Sequence, residues 1–316
     1  MQILTERILV TGGAGFIGSH TCLLLLEKGY EIIVLDSFVN SNKKSIERVI
    51  ELNRKKFKNI GSIQLISGDI RDEKVLDKIF FESELDKPIK AVIHFAGLKA
   101  VKESVNNPLN YWDVNVNGSI KLFSVMKKYN CRTIVFSSSA TIYGISDDKP
   151  ILETAKINPT NPYGNTKAAV ESLLNNIFKS DSKSWRIAIL RYFNPISNHK
   201  SGLIGESPIG IPNNLFPYIT QVASSKIDKL NIFGNNWQTI DGTGVRDYIH
   251  VMDLAEGHIA ALDYLLGSSK TQIINLNLGT GKGTSVLELI KCFESVNKIK
   301  IPYYITSRRE GDIGTL

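Results

Sequence analysis

The sequence predicts an α/β protein in which a doubly wound parallel sheet is followed by a smaller C-terminal domain. Short apolar strands alternate with helical segments through the first 190 residues, and a glycine-rich turn joins the first strand to the first helix. Parallel strands need helical crossovers of this kind, which cover both faces of the sheet. No apolar run approaches the roughly 20 residues of a spanning helix, so we expect no membrane insertion.

The composition suits a chain with a substantial core, since 42% of its 316 residues are hydrophobic and 22% are charged. The net charge of +7 is spread over dispersed lysines, which disfavours nucleic acid and suits an anionic small molecule. Cys22, Cys131 and Cys292 are too far apart for a CxxC site or a disulfide framework, and the five histidines lack ligand spacing. We therefore predict no metal. Residues 1–10 do not resemble a signal peptide, so a cytoplasmic location is expected.

The glycine-rich turn is the first functional signal. Residues 7–10 form an apolar strand, and a helical pattern covers residues 21–28. Between them Gly12, Gly15 and Gly18 allow a tight turn, close approach of the backbone to a pyrophosphate, and close packing of helix on strand. Glycines also serve ordinary turns, so the motif depends on its context.

Asp36 supplies that context at the end of the second strand, residues 32–35. It stands 18 residues after Gly18, where a carboxylate can bind the ribose hydroxyls of a dinucleotide. This carboxylate would repel a 2′-phosphate, and Ser37 offers no cation to hold one. NAD is therefore favoured over NADP as the cofactor.

Further strands are predicted at residues 63–66, 91–95, 133–137 and 186–190. Ligands of such sheets bind beyond the carboxyl ends of the strands. Three of these ends carry small or polar residues, and Asp69 among them could accept the adenine amino group. A single polar loop would mean little, but three predict a site. The three segments are 68–70, 96–99 and 137–139.

Tyr163 and Lys167 lie four residues apart at the start of a helix. Asn161 suits the N-cap and Pro162 the first helical position. The two side chains then share one face, and a nearby ammonium and the helix dipole would lower the phenol pKa from its usual value near 10. A Tyr and a Lys at this spacing occur about once by chance in a chain of this composition. The pair therefore indicates a catalytic site only if the chain also has a cofactor site.

The helix predicted at residues 109–126 has two apolar stripes. One stripe would cover the sheet, and the other, with an apolar face of the helix after Tyr163, would pair with a second copy of the chain. The alternative is a second layer within one chain. The stripes are Leu109, Trp112, Val116, Ile120 and Phe123, and Tyr111, Val114, Leu122 and Val125; the later face is Val170, Leu173, Leu174 and Ile177.

Motifs along nearly the whole chain resemble the UDP-glucose 4-epimerase family of the extended short-chain dehydrogenase/reductase superfamily. They lie at residues 11–18, 94–101, 136–144, 162–167, 190–195, 210–215, 242–251 and 308–312. The resemblance implies an NAD-binding Rossmann domain at 1–193, to which 245–266 returns, and a UDP-sugar-binding domain at 194–316. It implies NAD-dependent, reversible epimerisation of UDP-glucose and UDP-galactose at C4 through a 4-keto intermediate, with UDP-N-acetylhexosamines as further candidate substrates.

The resemblance also assigns residues. The catalytic set is Ser139, Tyr163 and Lys167. The cofactor contacts are Gly12, Gly15, Phe16, Ile17, Gly18, Asp36, Asn40, Ser41, Asp69, Ile70, Phe95, Ala96, Gly97, Lys99, Asn115, Ser137, Tyr163, Lys167 and Phe193. The substrate contacts are Lys99, Ser139, Ala140, Thr141, Tyr163, Asn194, Asn214, Leu215, Phe233, Arg246, Arg309 and Asp312. Two arginines suit a pyrophosphate, although arginines in solvated surface pairs would look the same in sequence.

Two other functions share these motifs. Sugar-nucleotide 4,6-dehydratases start with the same oxidation but typically carry Asp and Glu just after the fifth strand, where this chain has Ala140 and Thr141. A non-catalytic NAD-binding protein would not need Ser139, Tyr163 and Lys167 together. In the resembled family a residue at the position of Leu316 helps to admit or exclude N-acetylated sugars, and leucine is intermediate in size.

Overall fold

The computed structural model describes residues 6–57, 61–146, 150–208, 212, 214–309 and 312–316. Its strands are β1 (Arg7–Thr11), β2 (Glu31–Asp36), β3 (Ser62–Ser67), β4 (Ile89–His94), β5 (Thr133–Ser139), β6 (Arg186–Tyr192), β7 (Asn194–Ile196), β8 (Leu230–Phe233), β9 (Val245–His250), β10 (Gln272–Leu278), β11 (Gly283–Ser285) and β12 (Tyr303–Thr306). Its helices are α1 (Phe16–Glu27), α2 (Lys43–Phe57), α3 (Glu73–Glu84), α4 (Val101–Asn106), α5 (Pro108–Tyr111), α6 (Gly118–Lys128), α7 (Pro162–Ser180), α8 (Leu215–Ala223), α9 (Val251–Gly267) and α10 (Val286–Asn297).

Seven strands form one parallel sheet in the order β10-β6-β5-β4-β1-β2-β3. The predicted doubly wound fold is confirmed, and β1 to β6 correspond to the six predicted strands. The strand order reverses at β1, between β4 and β2, which is where such sheets open a crevice for a ligand. Apolar residues of both faces are buried in two core clusters, one against α1 and α9 and one against α3, α6 and α7.

Helix α1 begins at Phe16, five residues before the predicted start. The helical apolar pattern is visible only from Thr21, but the glycine turn places the chain in helical conformation as soon as it ends at Gly15. The glycine motif therefore stands directly at a helix N-terminus, as phosphate binding requires.

The predicted helix at 109–126 contains a six-residue π-helical turn, Trp112–Asn117, between α5 and α6. Of its two stripes, Tyr111 and Leu122 are fully buried, whereas Leu109 is 82% exposed and Trp112 43%. One face thus covers the sheet, and most of the other faces outward. Phe123 of the outer stripe is buried, as are Val170 and Leu174 of the predicted pairing face of α7, because they pack into the core beneath the sheet.

The later part of the chain forms two small sheets, β11-β9-β7 and β12-β8, and α8 and α10 pack on β8. Helix α9 packs on α1, where Asp263 accepts hydrogen bonds from Lys28 at 2.5 Å and from Tyr30 at 2.6 Å. Strand β10 supplies an edge of the large sheet although it lies beyond residue 266, and the division at residue 193 stays a prediction. None of the helices described could cross a membrane.

Three buried histidines make the fold sensitive to acid. Burial lowers the pKa of His94 to about 3 and those of His20 and His258 to about 4, from an ordinary value of 6.5. Below pH 6.5 the unfolded chain therefore takes up protons that the folded chain does not. As a result, the free energy of unfolding is not reduced by these histidines above pH 6.5, and it decreases as the pH falls below that value. We expect each histidine to lower the free energy of unfolding by about 1.4 kcal/mol between pH 7.5 and 5.5.

Chemical denaturation at the two pH values measures this loss. The variant His258→Phe should remove about a third of the three histidines' combined effect. Equal unfolding free energies at pH 7.5 and 5.5 in the unaltered protein would contradict the expectation.

Candidate active site

The glycine turn after β1 has no room for side chains. Gly12 has φ +71°, and a Cβ atom there would lie 2.6 Å from Ala96 N. A Cβ atom at Gly18 would lie 2.5 Å from Gly12 O. Gly15, at the N-cap of α1, has no side chain to cap the helix, so its first amides and the positive end of its dipole face the crevice. The turn therefore fits a dinucleotide pyrophosphate.

Asp36 ends β2 beside this turn and is 7% exposed. One carboxylate oxygen accepts from Ala14 N at 2.9 Å, and the other accepts from Phe38 N at 2.9 Å and Ser41 Oγ at 2.7 Å. These bonds fix the carboxylate at the rim of the crevice, where it suits ribose hydroxyls. Asn40 lies exposed in the same loop.

Asp69, at the end of the third strand, has a partner that the sequence did not reveal. Arg71 Nε and Nη2 donate to its two oxygens at 3.0 and 2.7 Å, and Arg71 Nη1 reaches Asp113 at 2.7 Å. The hydrogen bonds from Arg71 hold the pKa of Asp69 below its usual value. Ile70 is buried against Gly118.

The loop after β4 is held to helix α7 by Asn115, in the π-helical turn. Its amide accepts from Leu98 N at 2.8 Å and donates to Leu98 O at 3.1 Å and to Thr166 Oγ1 at 3.0 Å. A Cβ atom at Gly97 would lie 3.0 Å from Asn115 Oδ1. Phe95, just before, stacks obliquely on His258 with ring centroids 4.7 Å apart.

Helix α7 begins as the sequence predicted. Asn161 is the N-cap, its side chain accepts from Gly164 N at 2.9 Å, and Pro162 is the first helical residue. Lys167 is 5% exposed and donates from Nζ to Ser137 O at 2.7 Å, at the end of β5. The helix therefore points Lys167 at the carboxyl end of the sheet.

Ser139 lies next to Tyr163 at this end of β5. Its hydroxyl accepts from Thr141 N at 3.2 Å and from Thr141 Oγ1 at 2.9 Å. A short 3-10 turn, Ala140–Tyr143, follows, and Ala140 packs against Phe193 in a small cluster that also contains Leu316.

The pKa of Tyr163 shifts in the direction opposite to the one expected from the sequence. Burial raises it to about 12, and a hydrogen bond with Ser139 opposes the rise. The ammonium of Lys167 lies 5.9 Å from the phenol ring centroid and donates to a carbonyl instead, so it offsets little of the lost hydration. Burial also lowers the pKa of Lys167 to about 8, although the negative charge of Glu171 acts to raise it.

A buried ion pair lies one helical turn below Lys167. Arg191 on β6 donates to both oxygens of Glu171, from Nε at 3.1 Å and from Nη2 at 2.7 Å, and the two side chains are 4% and 3% exposed. Ser138 Oγ also donates to Glu171 at 2.5 Å, and Arg191 Nη1 reaches Tyr143 at 2.9 Å. Sequence reasoning missed this pair, because Arg191 and Glu171 lie on different elements and are 20 residues apart along the chain.

The later part of the chain brings four predicted substrate residues together in two pairs. Arg246 on β9 donates to Asp312 at 2.5 Å and to Ile313 O at 2.9 Å. The Arg309 guanidinium lies 3.8 Å from the ring centroid of Phe233, and its charge interacts with those of Arg246 and Asp312. Two guanidinium groups beside an aromatic ring suit a nucleoside diphosphate.

Two further predicted substrate residues lie at the N-terminus of α8. Asn214 is the N-cap, and Leu215 packs into the core of the small domain. Asn194 starts β7 and pairs with Tyr248 of β9. Asn214 and Lys99 both contact Glu206, which sequence reasoning did not select. No local pattern marks Glu206, because its charged partner Lys99 lies 107 residues away along the chain.

Comparison with known proteins agrees with this geometry. A family model described as GDP-mannose 4,6 dehydratase matches residues 9–308. UDP-glucose 4-epimerase of Bacillus subtilis (strain 168) is 51% identical over 308 residues, which cover 98% of this chain and 87% of that protein. UDP-glucose 4-epimerase of Pasteurella multocida (strain Pm70) is 53% identical over 309 residues, covering 98% and 88%.

A solved structure of similar fold is that of UDP-glucose 4-epimerase from Bifidobacterium longum in complex with NAD+ and UDP. It superimposes with a TM-score of 0.91 at 46% identity, covering 98% of this chain and 89% of that chain. Because about half of its residues match these enzymes over nearly its whole length, the chain belongs to the UDP-glucose 4-epimerase family of the extended short-chain dehydrogenases/reductases.

Proposed function

We propose that this protein interconverts UDP-glucose and UDP-galactose by inverting C4 of the hexose, with NAD as a tightly held cofactor. The observation that carries the proposal is the meeting of Ser139, Tyr163 and Lys167 at the carboxyl end of the sheet, beside the glycine turn. Ala140 and Thr141 follow Ser139 at the positions where dehydratases typically carry Asp and Glu, which argues against elimination of water. A cytoplasmic location stays a prediction.

The crevice fits NAD on three observations of this chain. The glycine turn would hold the pyrophosphate, Asp36 the adenosine ribose, and Lys167 the nicotinamide ribose. The loop after β4, fixed by Asn115, would flank the dinucleotide. Bound NAD supplies a cationic hydride acceptor that an alcohol oxidation requires and that this chain's side chains lack.

In the proposed mechanism Tyr163 removes the proton of the 4-hydroxyl, and Ser139 holds the oxygen by a hydrogen bond. Because burial raises the pKa of Tyr163 to about 12, the phenolate needs positive charge close by, and the Lys167 ammonium, 5.9 Å from the phenol ring centroid, supplies only part of it. When the sugar has turned over and C4 has regained its hydride on the other face, Tyr163 returns the proton to the 4-oxygen, which restores the hydroxyl in the opposite configuration.

The 4-keto sugar must turn over between these two proton transfers. Arg246 and Arg309 would hold the pyrophosphate, and Asn194 and Asn214 would meet sugar or uracil edges. A firm hold on the nucleotide with few bonds to the hexose permits the rotation.

The assay that tests the proposed function is incubation of purified protein with UDP-galactose, with the products identified by NMR. We expect UDP-glucose and no loss of water. A 4-keto-6-deoxy product would show a dehydratase instead. Recovery of unchanged UDP-galactose from protein that has been shown to contain NAD would show a non-catalytic protein.

Leu316 supports a proposal about sugar choice. It packs in one cluster with Ala140 and Phe193, beside the catalytic serine. We propose that the plain UDP-hexoses are the preferred substrates and that leucine leaves partial access for N-acetylated ones. Replacing Leu316 with tyrosine should lower the turnover of UDP-N-acetylgalactosamine relative to UDP-galactose about tenfold, because the larger ring fills the space beside the acetamido group.

The ratio of the two kcat/KM values measures this effect. Leu316→Met, which conserves volume, serves as the control and should leave the ratio within about twofold. An unchanged ratio in Leu316→Tyr, or a natural preference for the acetylated sugar, would refute the proposal.

We propose that two copies of the chain pair through the outward face of α6 and α7. Ile120 is 43% exposed and lines an apolar groove together with Phe123, Leu173, Ile177 and Trp185. Leu109 and Trp112 extend this apolar surface along the preceding helical turns. A self-complementary face of paired helices is a common basis for a twofold dimer.

Analytical ultracentrifugation tests the pairing. The unaltered protein should sediment at twice the monomer mass, and Ile120→Glu should shift it to the monomer, because an unpaired carboxylate would be buried at the interface. Leu85→Glu places the same charge on an apolar residue that is 75% exposed elsewhere and should leave the dimer intact. A monomeric unaltered protein would refute the proposal.

A further inference from the structure

Glu206 bridges two distant parts of the chain with one carboxylate oxygen. Its Oε1 accepts from Lys99 Nζ at 3.0 Å and from Asn214 Nδ2 at 2.6 Å. Lys99 follows β4 of the large sheet, whereas Asn214 begins α8 on the small domain. The Glu206 side chain is 9% exposed, and that of Lys99 is 56% exposed. The carboxylate is therefore mostly shielded from water, while the ammonium that it holds stands at the surface of the crevice.

The hydrogen bond to Glu206 sets the orientation of the Asn214 side-chain amide. Asparagine at an N-cap usually accepts a hydrogen bond from the helix, but the Asn214 side chain makes no such bond to α8. An ionised carboxylate only accepts, so Asn214 must turn its NH₂ group toward Glu206 and its carbonyl oxygen elsewhere. The carboxylate thus fixes the orientation of the amide.

The same carboxylate restrains Lys99. An exposed lysine has a flexible four-carbon chain, and only one of its three N–H donors is needed for Glu206. The pairing holds the ammonium near a fixed point and leaves its other donors for a ligand.

We propose that Glu206 is a positioning residue for the UDP-hexose: it holds Lys99 and Asn214 in the arrangement that binds the substrate and takes no part in proton transfer. This inference rests on the proposed function, which assigns both partners to the substrate site. Glu206 thereby links the loop after β4 to the start of α8, so that both sides of the crevice present their donors and acceptors together.

A double-mutant cycle tests the proposal on NAD-loaded protein. Glu206→Gln keeps an oxygen that can accept from Asn214 but removes the charge that pairs with Lys99. We expect it to raise KM for UDP-galactose about tenfold with kcat within about threefold, because a charged hydrogen bond that orders the site is lost before any chemistry occurs. Glu206→Ala, which also frees Asn214, should raise KM further.

The coupling to Lys99 separates positioning from general stability. In a Lys99→Met background, Glu206→Gln should change KM less than about twofold, since the ammonium it restrains is gone. Glu51→Gln, which breaks a solvent-exposed lysine pair on α2, is the matched control and should leave KM and kcat unchanged. All variants should keep their melting temperature within a few degrees.

Two results would overturn the proposal: the effects of Lys99→Met and Glu206→Gln on KM simply multiply, or Glu206→Gln lowers the melting temperature and leaves KM unchanged. A failure of the proposed function looks different, since unaltered protein would then leave UDP-galactose unconverted. An active unaltered protein with multiplying effects refutes only the role of Glu206.

Discussion

Replacing Tyr163 with phenylalanine should lower kcat for UDP-galactose by about 10²–10⁴-fold, the range that a general base contributes. The change deletes one hydroxyl group at the start of α7. KM should change little, because in the proposed mechanism the hydroxyl acts on the C4 oxygen and the nucleotide is held elsewhere. Steady-state kinetics on protein with a measured NAD content gives both constants.

The control for this variant is Tyr264→Phe, which removes a phenol hydroxyl from an exposed tyrosine on α9 and should leave kcat unchanged. Circular dichroism should show that Tyr163→Phe is folded. Undiminished turnover in folded, NAD-containing Tyr163→Phe would contradict the assignment of the base.

Replacing Arg191 with methionine should lower the free energy of unfolding by about 3–5 kcal/mol, because it leaves the Glu171 carboxylate buried without its cation. The two side chains are nearly inaccessible and are joined by two hydrogen bonds. The double variant Glu171→Gln with Arg191→Met removes both charges and should recover part of the loss. Denaturant titration followed by intrinsic fluorescence measures each value.

An exposed pair provides the comparison for this stability effect. Lys128 and Asp77 form an ion pair on the surface, with side chains 60% and 38% exposed, and Lys128→Met should be much less destabilising than Arg191→Met, because water screens the exposed charges. If Arg191→Met were no more destabilising than Lys128→Met, the buried pair would not stabilise the fold as we describe.

The six strands and the start of α7 could be predicted because each depends on neighbouring residues. Apolar runs bounded by turns define the strands, and Asn161 with Pro162 defines the helix start. The glycine residues also predicted the turn before α1, although α1 begins earlier than its apolar pattern indicates. Local chemistry was sufficient for these features.

The features that could not be predicted depend on contacts between distant residues. Lys99 and Glu206 are 107 residues apart, and Arg191 and Glu171 lie on different elements of the core. The predicted direction of the Tyr163 pKa shift was wrong for the same reason. The sequence shows that Tyr163 and Lys167 lie close together, but only the fold shows how deeply the phenol is buried. Spacing gives proximity, whereas burial sets the balance of charge and solvation.

The central claim is that the hydrogen on C4 leaves the hexose and returns to the same carbon inside the closed site. The measurement that tests it most directly is conversion of UDP-galactose carrying deuterium at C4, with the product analysed by NMR and mass spectrometry. We predict UDP-glucose that retains its deuterium at C4 in ordinary water, with no net oxidation. Product in which that deuterium has been replaced by solvent hydrogen would contradict the account.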